Sequence, residues 1–324
     1  MYHRLRSDRN ITDRAQTLII HHNDNDGRFS AALVRMITES DVDYRETCAG
    51  KGKDLDDLHY YDRIIFVDLS PTAEELTVLD DYLKGKQHRS VCMFDHHASV
   101  ESTGMLPRIS ALGVTCYYDA KAPGATGMLW SDVGVINHFK QMRNEHAVFV
   151  ADSICRAIGA VDSRKWDYAQ NNVEQSTLIA SYCNSHVSNA NEAYNLLMSA
   201  NLVEILNVAK METEVNMRTY QRLASSAYIR TWQGLTFAVL NCPMAYSGIL
   251  KEFCTTKAEE GIHVDGCIFW SYNHKQDKIV ITVYDIFETG KNDLSKLMIQ
   301  LGGGGHRGAA GAAVDWDKFP KELR

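Results

Sequence analysis

The chain has 324 residues, 45 % hydrophobic and 9 % aromatic, which is enough for two ordinary domains and too apolar for a disordered polymer. Its 41 acids outnumber 34 bases for a net charge of −7, which excludes a broad surface for long nucleic-acid duplexes. Short phosphate-bearing ligands survive that exclusion, because bound divalent cations reverse the sign of the field at a site. The eight cysteines (48, 92, 116, 155, 183, 242, 254, 267) contain no CxxC pair. That speaks against a structural zinc and for small buried hydrophobes in a reducing cytosol. The opening MYHRLRSDRN is polar, without the apolar core of a signal peptide. No apolar run approaches the ~18 residues of a membrane span, so a cytoplasmic protein without a membrane partner is expected.

The first strand is predicted at 17–20 (TLII), running into the polar turn HHNDNDG. After Gly27, Phe29, Ala32, Leu33, Met36 and Ile37 recur at helical spacing. A second strand, RIIFVDLS (63–70), is followed by Pro71-Thr72 and a helix with Leu76, Leu79 and Leu83 on one face. A third, SVCMF (90–94), ends at Asp95-His96-His97. Short, continuously apolar strands suit a parallel sheet covered on both faces, and in such sheets functional residues gather beyond the C-terminal strand ends. Residues 45–62 (RETCAGKGKDLDDLHYYD) carry no readable motif.

From Gly124 to about 225 the chain reads as helical. ATGMLWSDVGVI and HAVFVADSICRAIGAVDS are each expected as a helix, and the stretch from NEAYNLL to RLASS as one or two long ones. Beyond it TFAVLN, GCIFWSY and KIVITVYD are strand-like, LSKLMIQL is helical, and AAVDW is a final strand. The expected fold class is α/β, in three parts. An N-terminal domain (1–190) has a mainly parallel sheet flanked by helices, 191–227 form a helical linker, and 228–324 form a smaller α/β domain.

The chemistry is concentrated at four places. His22-x-Asp24-x-Asp26 puts an imidazole and two carboxylates within five residues of a strand-to-helix turn. Carboxylates this close repel unless a cation lies between them, and His/Asp ligation without thiolates suits Mn²⁺, Mg²⁺ or Fe²⁺. The competing reading is a polar turn with Asp26 or Asn25 near a helix N-cap. Asp68, after Ile64-Ile65-Phe66-Val67, is a turn acid when read alone. Asp162, closing an apolar helix, could pair with Arg164 or Lys165, and Asp167 competes with it. The adjacent imidazoles of His96 and His97 behind Asp95 are costly to desolvate at a strand end and call for a partner, a metal centre first. Four such clusters at strand or helix ends are hard to read as four independent caps.

HNDNDGRFSAAL, FVDLS, FDHHAS and GAVDS, in that order, resemble the four motifs of the DHH phosphoesterase superfamily. GGGGHRGAAG resembles the signature of that superfamily's DHH-associated C-terminal domain. The resemblance spans roughly 17–315 and is closest in layout to the short-oligonucleotide phosphodiesterases, or nano-RNases. Relatives with this layout also cleave cyclic or linear dinucleotides or dephosphorylate adenosine bisphosphate.

The resemblance implies two divalent ions, with Mn²⁺ first and Mg²⁺ or Fe²⁺ as alternatives. His22 and Asp24 would hold one; Asp26, His96 and Asp162 would hold the other; Asp68 would bridge them. His97 would reach the scissile phosphate and Asp95 would orient a histidine. The implied activity is hydrolysis of short single-stranded oligonucleotides or dinucleotides to mononucleotides, and a homodimer is compatible with it. A non-catalytic binder or a pyrophosphatase on the same fold is the weaker reading.

Gly302 to Gly305, followed by His306-Arg307-Gly308, is expected to form a loop whose backbone amides approach a phosphate. By resemblance, Gly303, Gly304, Gly305, His306 and Arg307 would bind the substrate's terminal phosphate or sugar. One departure stands out. The family often carries an Arg-Ser pair on the preceding strand, where this chain has Tyr284-Asp285, with Lys291 or Arg307 as candidates for the missing charge.

Overall fold

The computed structural model describes residues 17–38, 41–48, 55–84, 88–170, 172–243, 247–287 and 291–324, together with the backbone but not the side chain of His306. The polar opening segment and part of 45–62 lie outside the described residues. Two compact units divide between Lys210 and Met211.

The N-terminal unit is built on β1 (Thr17–His22), β2 (Val42–Thr47), β3 (Arg63–Val67), β4 (Ser90–Asp95) and β5 (Thr115–Tyr118). They form one parallel sheet in the order β2-β1-β3-β4-β5. Alternation along β1 explains its unbroken apolar run at 18–20: Ile19 joins one core while Leu18 and Ile20 join the other. The strand order reverses between β1 and β3, and at such a switch point the loops beyond the carboxyl ends part to leave a crevice.

Helices α1 (Asn25–Met36), α2 (Ala73–Leu83) and α3 (Ala98–Ser102) follow strands, and α4 (Met105–Ala111) follows α3. A capping box fixes the start of α2, with Thr72 Oγ1 accepting from Glu75 N and Glu75 Oε2 accepting from Thr72 N. Next come α5 (Gly124–Trp130), α6 (Val133–Met142), α7 (Glu145–Ser163), α8 (Val173–His186), α9 (Ala190–Ser199) and α10 (Leu202–Ala224). ATGMLWSDVGVI is not the single helix expected. α5 ends at Trp130 with Ser131 as its C-cap, and Asp132 caps α6, accepting from Gly134 N at 2.7 Å and Val135 N at 3.3 Å. The stretch from 191 resolves into α9 and α10, and the division between units falls within α10.

The C-terminal unit holds β6 (Tyr228–Trp232), β7 (Leu235–Asn241), α11 (Gly248–Glu259), β8 (Gly266–Asn273), β9 (Lys278–Tyr284), α12 (Ser295–Gln300), β10 (Gly304–His306) and β11 (Ala309–Val314). Its sheet runs β10-β11-β9-β8-β7-β6, antiparallel except for the parallel pair β7–β8. The glycine run expected as a loop is partly strand, since Gly304 to His306 pair with β11. Packing accounts for two of its glycines: a Cβ at Gly303 would lie 2.1 Å from Gly311 O, and one at Gly305 would lie 2.6 Å from Ala309 O.

All eight cysteines are free thiols, five of them buried. Among the described residues no helix is long and apolar enough to cross a membrane.

Candidate metal centre

The carboxyl ends of β1, β3 and β4 deliver the predicted residues to one place. β1 ends at His22, and Asp24 is the N-cap of α1, with Oδ1 accepting from Gly27 N at 2.9 Å. The cap is therefore Asp24, not Asp26 or Asn25, because Asp24 alone has the extended backbone that lets its carboxylate turn back onto the first turn. Its Oδ2 accepts from His22 Nδ1 at 2.5 Å. Gly27 is required here, since a Cβ would lie 2.3 Å from His22 O.

Asp68 follows β3 in the left-handed region (φ 59°), a conformation that aspartate tolerates better than branched residues. Its amide donates to Phe94 O at 2.8 Å, which ties the turn to β4. The carboxylate is 1 % exposed; Oδ1 lies 3.1 Å from His96 Nε2 and Oδ2 lies 3.7 Å from His22 Nδ1. His96 Nε2 also lies 3.6 Å from Asp26 Oδ2 and 3.4 Å from Asp162 Oδ2. Asp95 Oδ1 accepts from His96 N (2.7 Å), His97 N (3.0 Å) and His97 Nδ1 (2.7 Å), so it sets the orientation of the following pair.

These side chains form three overlapping groups whose potential ligand atoms lie within 4.8 Å of one another: His22-Asp24-Asp68, Asp68-His96-His97 and Asp26-His96-Asp162. Asp68 and His96 each belong to two groups, so the cluster is continuous. The competitor Asp167 is in none of them. The substrate residues expected near the chain end sit apart from this cluster in the sequence of elements: Gly304 and Gly305 in β10, and Arg307, exposed, in the turn to β11. The side chain of His306 lies outside the described residues.

So many acids in one place leave a mark on the protonation of each. Burial, then the charges of Asp26, Asp24, Asp162 and Asp95, push the Asp68 carboxyl well above the usual carboxylate range. Burial and the charges of Asp26 and Asp24 push Asp162 up to about 8. Asp24 behaves oppositely: burial raises it, but the hydrogen bond and charge of His22 outweigh this and hold it down at about 2. The same hydrogen bond raises His22. Desolvation lowers His96. For His97 desolvation is outweighed by Asp95 and by the charges of Asp162 and Asp26, and the imidazole is raised.

Divalent cations fit this donor set. Asp68 Oδ2 and Asp95 Oδ2 are buried without hydrogen-bond partners, and an oxygen-and-imidazole set without thiolate suits Mn²⁺ or Mg²⁺. Metal-free Asp162, pushed up to about 8, holds a proton at pH 7, and Asp68 is raised in the same direction by burial and the neighbouring acids, so a cation competes with protons at both carboxyls. Titration with Mn²⁺ at pH 7 is expected to release about one to two protons per chain, and binding should strengthen as pH rises. Calorimetry in two buffers of different ionisation heat measures this; a heat independent of buffer contradicts it.

No protein-family model and no curated protein matches this sequence. Solved structures do match it. The Vibrio pGpG-specific phosphodiesterase PggH superposes with a TM-score of 0.52 at 16 % identity, covering 93 % of this chain and 94 % of its own. Exonuclease RecJ bound to manganese superposes with a TM-score of 0.50 at 14 % identity, covering 95 % of this chain and 88 % of its own. The fold is that of the DHH phosphoesterases. Within this fold His96 and His97 of FDHHAS lie against Asp68 of FVDLS, and His96 also against Asp26 of HNDNDG and Asp162 of GAVDS.

One part of this cluster was not foreseen in the sequence. The Asp26 carboxylate is held by α5: Ala125 N donates to Oδ2 at 2.6 Å and Thr126 N to Oδ1 at 2.8 Å. The available signal was Pro123-Gly124, a turn pair immediately before a helical run.

Proposed function

We propose that the protein is a metal-dependent phosphodiesterase that hydrolyses short single-stranded oligonucleotides and dinucleotides to mononucleotides. The observation that carries this reading is the continuity of the three ligand groups through Asp68 and His96. His22 and Asp24 would hold one divalent ion, Asp26, His96 and Asp162 would hold the other, and Asp68, between the two groups, would serve both. Mn²⁺ is the first choice, supported by a manganese-bound structural neighbour. Two ions bound there supply an activated water and neutralise charge developing on the phosphoryl oxygens.

The protein's own groups do the rest. Asp95 accepts the Nδ1 proton of His97 and so presents the other ring nitrogen outward. Asp95 and the neighbouring acids raise the His97 imidazole, which favours its cation, and that cation can touch a phosphate oxygen or protonate the leaving oxygen. Gly303, Gly304, Gly305, His306 and Arg307 grip the terminal phosphate or sugar of the substrate. A cytoplasmic enzyme, with a homodimer as a compatible assembly, completes this reading.

A short substrate is favoured over a long one by the net charge of −7 and by a structural neighbour named for pGpG. The second reading keeps the chemistry and changes the ligand to a cyclic dinucleotide or a bisphosphorylated nucleotide; Tyr284-Asp285, where relatives carry Arg-Ser, favours testing it. Labelled linear dinucleotide, cyclic dinucleotide, adenosine bisphosphate and a 24-mer are each incubated with and without Mn²⁺. Fastest, metal-dependent conversion of the linear dinucleotide is expected. No metal-dependent cleavage of any of them overturns the proposal.

A further inference from the structure

Asp26 is held by backbone amides of a helix remote in sequence. Its side chain is 1 % exposed, as are those of Asp68 and Asp95, against 42 % for Asp24 and 30 % for Asp162. Each of its oxygens accepts one backbone amide, from Ala125 and Thr126 in the first turn of α5. Those amides are free to donate because the residue before the helix is Pro123, whose side chain cannot cap it. A carboxylate from 99 residues upstream therefore does the capping. Two amides occupy two of about four lone-pair positions, which leaves each oxygen one with which to face the cluster.

Further contacts keep this clamp in register. Thr126 Oγ1 donates to Asp26 O at 2.9 Å, and Ser30 Oγ lies 3.0 Å from Thr126 Oγ1, so α5 is tied to the first turns of α1. Lys165 Nζ donates to Lys121 O and, at 2.9 Å, to Ala122 O, which holds the approach to α5 against the segment just after Asp162. Gly159 lets Pro123 O come close, since a Cβ there would lie 2.1 Å from it. Gly124 is where the carboxylate itself presses: it has φ +73°, and a Cβ would lie 2.8 Å from Asp26 Oδ1 and 2.9 Å from Oδ2. Nothing larger than glycine fits between α5 and this carboxylate.

We infer that Gly124 and Thr126 are positioning residues that pre-set the Asp26 carboxylate for one of the two divalent ions. This rests on the two-metal reading above. Rigid outer contacts of this kind set ligand orientation, and their loss typically costs about 10–100-fold in metal affinity. Because Asp26 belongs only to the group with His96 and Asp162, the loss falls on one ion and spares the one near His22 and Asp24.

The test is Mn²⁺ titration of the full chain, followed by calorimetry and by the electron-spin signal of paired ions, with thermal melting as a control for folding. Thr126→Val keeps the branched shape and removes only the hydroxyl; Gly124→Ala adds the offending Cβ. Both are expected to weaken one of two binding events by about 10–100-fold and to diminish the paired-ion signal, with the other event unchanged. Thr126→Ser is expected to restore both. If Thr126→Val and Gly124→Ala bind two ions as the wild type does, with only the melting temperature lowered, the clamp merely caps α5 and the inference fails. A wild-type protein that binds no Mn²⁺ overturns the two-metal reading and the clamp's role with it.

Discussion

Asp68→Asn is expected to abolish turnover, by more than about 10³-fold, while raising the melting temperature of the metal-free protein. Both halves follow from the same carboxylate. In the proposed enzyme Asp68 is the one side chain shared by both ions, and an amide cannot replace the charge it brings to them. Without ions it is a liability: 1 % exposed, with one oxygen lacking a hydrogen bond and four other acids raising its proton affinity. A carboxyl whose folded-state pKa is raised favours the fold fully below its unfolded pKa, near 3.9, and that contribution is lost as pH rises through the folded value. The gain from Asn should thus be small at pH 4 and grow toward pH 8. At about 2–4 °C per kcal/mol, a rise of about 2 °C or more at pH 8 is readable by calorimetry. Asn is also at ease in the left-handed backbone, where φ is 59°, so the swap adds no strain. An Asn variant that melts lower than wild type at pH 8, or that keeps turnover, contradicts the assignment.

What was legible before the structure, and what was not, divides along physical lines. Strands covered on both faces carry unbroken apolar runs, so β1, β3 and β4 stood out from TLII, RIIFV and SVCMF. The residues that follow such strands must lie at the sheet's carboxyl edge, which is why His22, Asp68 and His96 could be grouped without coordinates. The edge strands escaped notice for the converse reason. β2 (VDYRET) is half-buried and largely polar, and β5 (TCYY) is four residues long. The clamp on Asp26 was invisible because backbone amides have no letter in a sequence; only Pro123-Gly124 hinted at a turn. The glycine run misled in part, since glycine is demanded both by phosphate-binding loops and by close strand packing. At Gly303 and Gly305 packing is sufficient cause. The left-handed backbone at Asp68 carried no signal in the sequence at all.

The division of labour within Asp95-His96-His97 leads to the second large effect. His97→Ala is expected to keep Mn²⁺ affinity within a few-fold and to lose about 10²–10⁴-fold in turnover, the range for a positioned acid. His96→Ala is expected to do the reverse first, losing metal and activity as a consequence. The surroundings of the rings separate them. His96 is 11 % exposed, and its Nε2 is ringed by Asp68, Asp162 and Asp26 at 3.1, 3.4 and 3.6 Å, positions that an ion would share. Burial lowers its pKa, favouring the neutral form that a ligand needs. His97 is 30 % exposed, and its Nδ1 is committed to Asp95 at 2.7 Å. Its raised pKa favours the cation, which repels metal and attracts phosphate. A required imidazolium makes turnover fall as pH rises through the His97 pKa, and His97→Gln should remove that descending limb. The rival assignment is concrete, because Asp68, His96 and His97 also form a ligand group of their own. Mn²⁺ titration of the two alanine variants decides between them: loss of metal in His97→Ala with retention in His96→Ala would exchange the roles of the two histidines.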